Sequence, residues 1–120
     1  MNTTEIGRYG EKLAARFLRK NGFKILETNK HQSHNELDII AANKEWLLFV
    51  EVKTRSENYL QEPVEAVNRA KIRRIVAAAD AYIRYFNIRL PIRFDIISIV
   101  KEAGVFQIEH IEDAFYAPCH

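Results

Sequence analysis

The ten residues from Trp46 to Arg55, WLLFVEVKTR, constrain the fold more than any other stretch of the chain. Five consecutive apolar residues describe a strand covered on both faces. Glu51 and Lys53 then stand where further apolar residues would have completed it. Side chains alternate across a strand, so Trp46, Leu48, Val50 and Val52 share one face, and Leu47, Phe49, Glu51, Lys53 and Arg55 share the other. The second face changes from apolar to charged along its length. Two readings fit: a core strand that ends in a functional site, or the solvated side of an edge strand. Leu47 and Phe49 ahead of Glu51 on the same face favour the covered, central strand.

The preceding segment, Glu36 to Ala42, is a second strand, with Leu37, Ile39 and Ala41 on one face and Glu36, Asp38 and Ile40 on the other. Both apolar faces enter one core only if even-numbered residues of one strand pair with odd-numbered residues of the other, which a turn at Lys44-Glu45 provides. That register predicts Asp38 across from Glu51 and Glu36 across from Lys53. Like charges directly opposite destabilise a sheet, and paired carboxylates call for a shared proton, a cation or open water. A hard divalent ion such as Mg²⁺, which takes oxygen ligands, suits the pair.

Around these strands the periodicity predicts a helix over residues 4 to 20, ended by Asn21-Gly22, a short strand or extended lead-in over Phe23 to Glu27, and a polar loop from Thr28 to Asn35. A long helix is predicted from Pro63 to about Phe86, then strands Ile92 to Val100 and Phe106 to Ile111 about a Glu102-Ala103-Gly104 turn. Helix, three strands, helix, two strands makes an α/β fold, a mixed sheet covered by helices. On the first helix Gly7 and Gly10 fall inward, and Glu11 flanks the apolar stripe. Glu11 either leans over the sheet toward Asp38 or is an ordinary exposed acid. Asp95 lies in an apolar strand and reads as structural, paired with Arg93.

The chain has 120 residues, which predicts a single domain over residues 1 to 120. No apolar run approaches the ~18 residues of a membrane span, and the first residues lack a signal-peptide layout, so the expectation is a cytoplasmic protein without a membrane partner. A lone cysteine, Cys119, excludes an internal disulfide and a cysteine-rich zinc site. Net charge is only +2, but Arg69 to Arg93 carries seven cations against Asp80 alone. That block fits phosphates or a solvated helix face equally well.

Glu11, Asp38 and Glu51-Val52-Lys53 together resemble the PD-(D/E)XK nuclease signature, including the helix-borne leading Glu of archaeal Holliday-junction resolvases. The whole chain more closely resembles the small bacterial YraN-like family, through YGEKLAARFLRKNGFKIL, NELDIIA, LLFVEVKTRS, VNRAKIRRIVAAADAYI, RFDIISI and HIEDAF. Asn35 stands where family members often have Gly, and Lys30-His31 where they often have Trp-Arg; Asn35 tolerates the left-handed turn a Gly would make.

The resemblance implies an α/β/α restriction-endonuclease-like core and a DNA endonuclease activity dependent on Mg²⁺ or Mn²⁺, directed at branched or distorted structures. It implies Asp38 and Glu51 as metal ligands, Glu11 as an accessory ligand and Lys53 as the third catalytic residue. Glu36 is read as either tuning Lys53 or merely neutralising it; Arg55, Arg69, Lys71, Arg73 and Arg74 are read as contacts to nucleic-acid phosphates. A two-fold homodimer suits so short a chain. Two other classes fit the same residues: a nucleic-acid-binding module that does not cut, and an interaction protein whose charged face meets a protein partner.

Overall fold

The computed structural model describes residues 3–32, 34–56 and 68–116. Its elements are α1 (Thr3–Lys20), β1 (Lys24–Gln32), β2 (Asn35–Ala42), β3 (Leu47–Ser56), α2 (Arg69–Phe86), β4 (Ile92–Glu102) and β5 (Val105–Phe115). The five strands form one sheet in the order β1-β2-β3-β4-β5, with β3 and β4 parallel and every other pair antiparallel. A parallel pair needs a crossover, and α2 lies between β3 and β4 in the chain.

The strand bearing Glu51 and Lys53 is thus the middle one, as its two apolar faces predict. Leu48 and Val50 pack with Ala14, Leu18, Ile97 and Ile99 under α1. Leu47 and Phe49 pack with Ile75, Ala79, Tyr82 and Ile96 under α2. Phe49 stacks on Phe94 at 5.7 Å and meets Tyr82 edge-on at 6.2 Å. Burying such a ring contributes about 2–3 kcal/mol. The mixed α/β/α arrangement is the expected one.

Local signals end the elements. Phe23 N–H bonds to Leu18 O and Gly22 N–H to Arg19 O, with Gly22 at φ 90°, which closes α1 with satisfied carbonyls. Between β2 and β3 the Asn43 side chain accepts from the Glu45 and Trp46 amides, both at 2.8 Å. Asp95, fully buried, accepts two 2.9 Å bonds from Arg93 and one from the Asp113 amide, and lies 2.7 Å from His110 Nε2. The expected Arg93 partnership holds, and the cluster ties β4 to β5.

Three expectations are corrected. Thr28 to Gln32 is strand, not loop, because backbone pairing with β2 satisfies an edge strand whatever its side chains. The left-handed residue before β2 is His34 (φ 66°), one position ahead of Asn35. α2 does not run through from Pro63: Asn68 is extended and its side chain caps the Lys71 amide at 2.9 Å, so the helix starts at Arg69. Pro63 to Val67 lie outside the described residues, as does Cys119.

Candidate functional site

The site is built where β2 and β3 part. Their pairing runs from Ala42↔Leu47 to Ile39↔Val50, the register anticipated from parity, and no further. Beyond it β2 stays on β1 (Leu37↔Lys30) while β3 stays on β4 (Lys53↔Ser98). In the gap Asp38 Oδ2 accepts the Val52 amide at 2.9 Å, so a side chain replaces the next rung of the ladder. On β1 the residue facing this point, between Thr28↔Ile39 and Lys30↔Leu37, is Asn29 at φ 51°. With the regular pleat interrupted, Leu37 joins Ile40 in the core under α2 rather than following Ile39 toward α1, which corrects its expected face.

Asp38 is half-buried and Glu51 only 6% exposed, close enough for the Glu51 charge to act on Asp38. Burial, then the Glu51 charge, then Glu11, push the Asp38 carboxyl up to about 7, against the lowering effect of the Val52 amide. Glu11 reaches Asp38 from α1, and with Glu36 the three offer carboxylate oxygens within 4.8 Å of one another. Gly10 explains how α1 comes so close: a Cβ there would overlap the Thr54 side chain on β3. Gly7, also expected to permit close approach, has open space where its Cβ would be.

Glu51 belongs to the other half of the site. Its Oε1 is bound by Lys71 Nζ from α2 and lies 3.5 Å from Lys53 Nζ. Burial and the neighbouring Lys71 lower the Lys53 pKa, whereas for Lys71 burial is outweighed by the Glu51 contact and the pKa rises. Lys71 therefore sits inside the site, beside Glu51, rather than on the outer face of α2. Its signal was present in the sequence, since Lys71, Ile75, Ala78, Ala79 and Tyr82 follow one inward helical stripe and the last four are buried.

A cleft of about 280 Å³ opens over these groups, lined by Asn35, Glu36, Asp38, Glu51, Lys71, Arg74 and Ile75. Glu36 does not face Lys53, as the extrapolated register required; it is exposed, beside Glu11 and Asp38, with His31 Nε2 at 3.6 Å. Arg74 is at the cleft, Arg55 is half-buried further along β3, and Arg69 and Arg73 are exposed on α2 outside the lining.

The donors are oxygen only, from clustered carboxylates, one of them held far above its usual pKa by burial and its neighbours. That chemistry fits a hard divalent cation such as Mg²⁺ or Mn²⁺, and does not fit a soft metal that selects sulfur or imidazole.

Fold and site together define an α/β/α protein whose central sheet forks over a carboxylate cluster flanked by lysine. The chain belongs to the family described as uncharacterised protein family UPF0102, which matches residues 10–99. It is 59% identical over 115 residues to a UPF0102 protein of Parabacteroides distasonis, covering 96% of this chain and 95% of the relative. It is 48% identical over 114 residues to one from Bacteroides thetaiotaomicron (95% and 94%), and 45% identical over 111 residues to one from Porphyromonas gingivalis (91% and 82%). Neither described helix is long and apolar enough to cross a membrane.

Proposed function

We propose that this protein is a divalent-metal-dependent nuclease that hydrolyses phosphodiester bonds in DNA, acting in the cytoplasm on branched or distorted structures. The observation that carries the reading is the meeting of Glu11, Glu36 and Asp38 at the fork, one strand from Glu51 and Lys53.

Asp38, Glu11 and Glu36 would hold the cation, with Glu51 completing the set from β3. When bound, Mg²⁺ or Mn²⁺ supplies charge to the scissile phosphate and acidifies water. Lys53 lies beside Glu51, placed to offset negative charge developing on the phosphate. Val52 N–H and burial fix the Asp38 carboxylate in one orientation, so the donors are set before substrate arrives. Arg74 at the mouth, with Arg55, Arg69 and Arg73, binds neighbouring phosphates without reading sequence. A two-fold pair of chains would present two forks to a branched duplex.

One observation favours a second reading. Glu51 is already neutralised by Lys71 and Lys53, an arrangement that also suits a nucleic-acid-binding module without chemistry. The test is Mg²⁺ and Mn²⁺ calorimetry on wild type and Asp38→Ala/Glu51→Ala, with cleavage of labelled duplex and four-way-junction DNA. Metal binding and cleavage that vanish together in the folded double variant support the nuclease. DNA binding that ignores chelation, with no cleavage, replaces it with the binding module.

A further inference from the structure

The cations of α1 lie outside the site described above. At about 100° per residue, Arg8, Lys12, Arg16 and Arg19 fall within an arc of roughly 80°. All four are exposed. Along the helix axis they extend over about 16 Å, with successive members of the Arg8, Lys12, Arg16 series about 6 Å apart, on the order of the spacing between phosphates of one strand.

Like charges at i,i+4 work against a helix, and this stripe contains two such pairs in succession. None of the four makes an ion pair with an acid among the described residues. Among the described residues, no ion pair from these four side chains offsets that repulsion. Between α1 and β1 runs a groove of about 510 Å³, lined by these cations and, across from them, Thr28 and Asn29. Its one acid is Glu11, which also belongs to the carboxylate trio of the fork. The groove and the site thus share a wall.

We infer that α1 carries a single phosphodiester strand away from the fork, with Arg8, Lys12, Arg16 and Arg19 on successive phosphates and Thr28 and Asn29 as the facing wall. This rests on the nucleic-acid reading of the fork and extends it to the face of the sheet opposite Arg73 and Arg74. One stripe of cations, a single helix wide, beside the groove matches one strand of backbone. Contacts of this kind give affinity that falls with salt and no base preference.

The experiment uses the full chain in EDTA, a labelled oligothymidylate of roughly 20 nucleotides, and anisotropy titrations from about 50 to 300 mM salt. The variant is Lys12→Gln/Arg16→Gln/Arg19→Gln, which keeps good helix formers at exposed positions, with thermal melting to verify the fold. Three lost phosphate contacts at ~0.7 each flatten the log K against log salt slope by about 2, the expected result. A wild-type slope in the folded variant, while wild type binds, overturns the α1 path and leaves the fork's reading intact. While the fork's reading is decided by the duplex and junction assays, failure of wild type to bind the oligothymidylate at the lowest salt also overturns the α1 path. Displacement of the strand by polyglutamate at equal charge concentration overturns it in favour of an acidic peptide.

Discussion

Asp38 and Val52 are joined by a 2.9 Å hydrogen bond from backbone amide to carboxylate at the point where β2 leaves β3. The bond replaces a rung that strand pairing would otherwise have supplied, and it lets two neighbouring strands diverge without orphaning the Val52 N–H. Asp38 thereby becomes the centre of a crowded set of acids, and the first predictions concern what that crowding costs.

Asp38→Asn removes one charge from beside Glu51, Glu11 and Glu36 while keeping an oxygen for the Val52 amide. Urea denaturation at neutral pH in EDTA is expected to show the variant more stable than wild type by about 1–2 kcal/mol. Divalent-ion binding is expected to be lost in the same variant. A variant less stable than wild type under these conditions would refute the crowding.

Lys53 and Lys71 both contact Glu51 but differ in consequence. Lys53→Met is expected to lower cleavage by about 100- to 1000-fold with metal binding retained. Lys71→Met frees Glu51 and is expected to tighten Mn²⁺ binding while lowering the melting temperature without metal. Calorimetry separates the two; equal metal affinity in wild type and Lys71→Met would show that Lys71 does not compete for the carboxylate.

Gly10→Ala places a methyl group against Thr54. The overlap is expected to cost about 1–3 kcal/mol of stability and to move Glu11 away from Asp38. Combining it with Thr54→Ala should recover much of the loss, a double-mutant cycle that locates the strain at this contact.

Asp95 supplies the pH dependence. Burial alone would raise its pKa, but the bonds from His110, Arg93 and the Asp113 amide outweigh burial and hold it below the ordinary value. A depressed carboxylate contributes stability fully above the unfolded pKa, near 3.9, and loses it as pH falls through the lower folded value. Asp95→Asn is expected to cost about 2–4 kcal/mol at pH 7, with the gap to wild type closing below about pH 4. A gap that stays constant down to pH 2 would mean that the charge is not what matters.

The faces of β3, the β2–β3 register, the close approach at Gly10 and the Arg93–Asp95 pair were all legible, because each follows from side-chain alternation, helical angle or local charge. What stayed hidden depends on contacts between distant segments. β1 extends through Thr28 to Gln32 because an edge strand is made by its neighbour's backbone, and polar side chains there give no signal. Glu36 sits beside Glu11, not Lys53, because pairing stops at Ile39↔Val50, and a register argument assumes that strands stay together. Lys71 was obscured by its company, since in a run of cations nothing but helical phase sets apart the one that points inward.

The ion pairs of Glu51 with Lys71 and Lys53 have one more consequence. A carboxylate only 6% exposed would be costly to bury alone, yet here two lysine side chains already accompany it. The polypeptide carries its own counter-ions for Glu51, so on the proposed reading folding would not wait upon the metal as a zinc finger's does. If the proposed reading holds, metal would join a finished protein, and its loss would silence the site while leaving the scaffold standing.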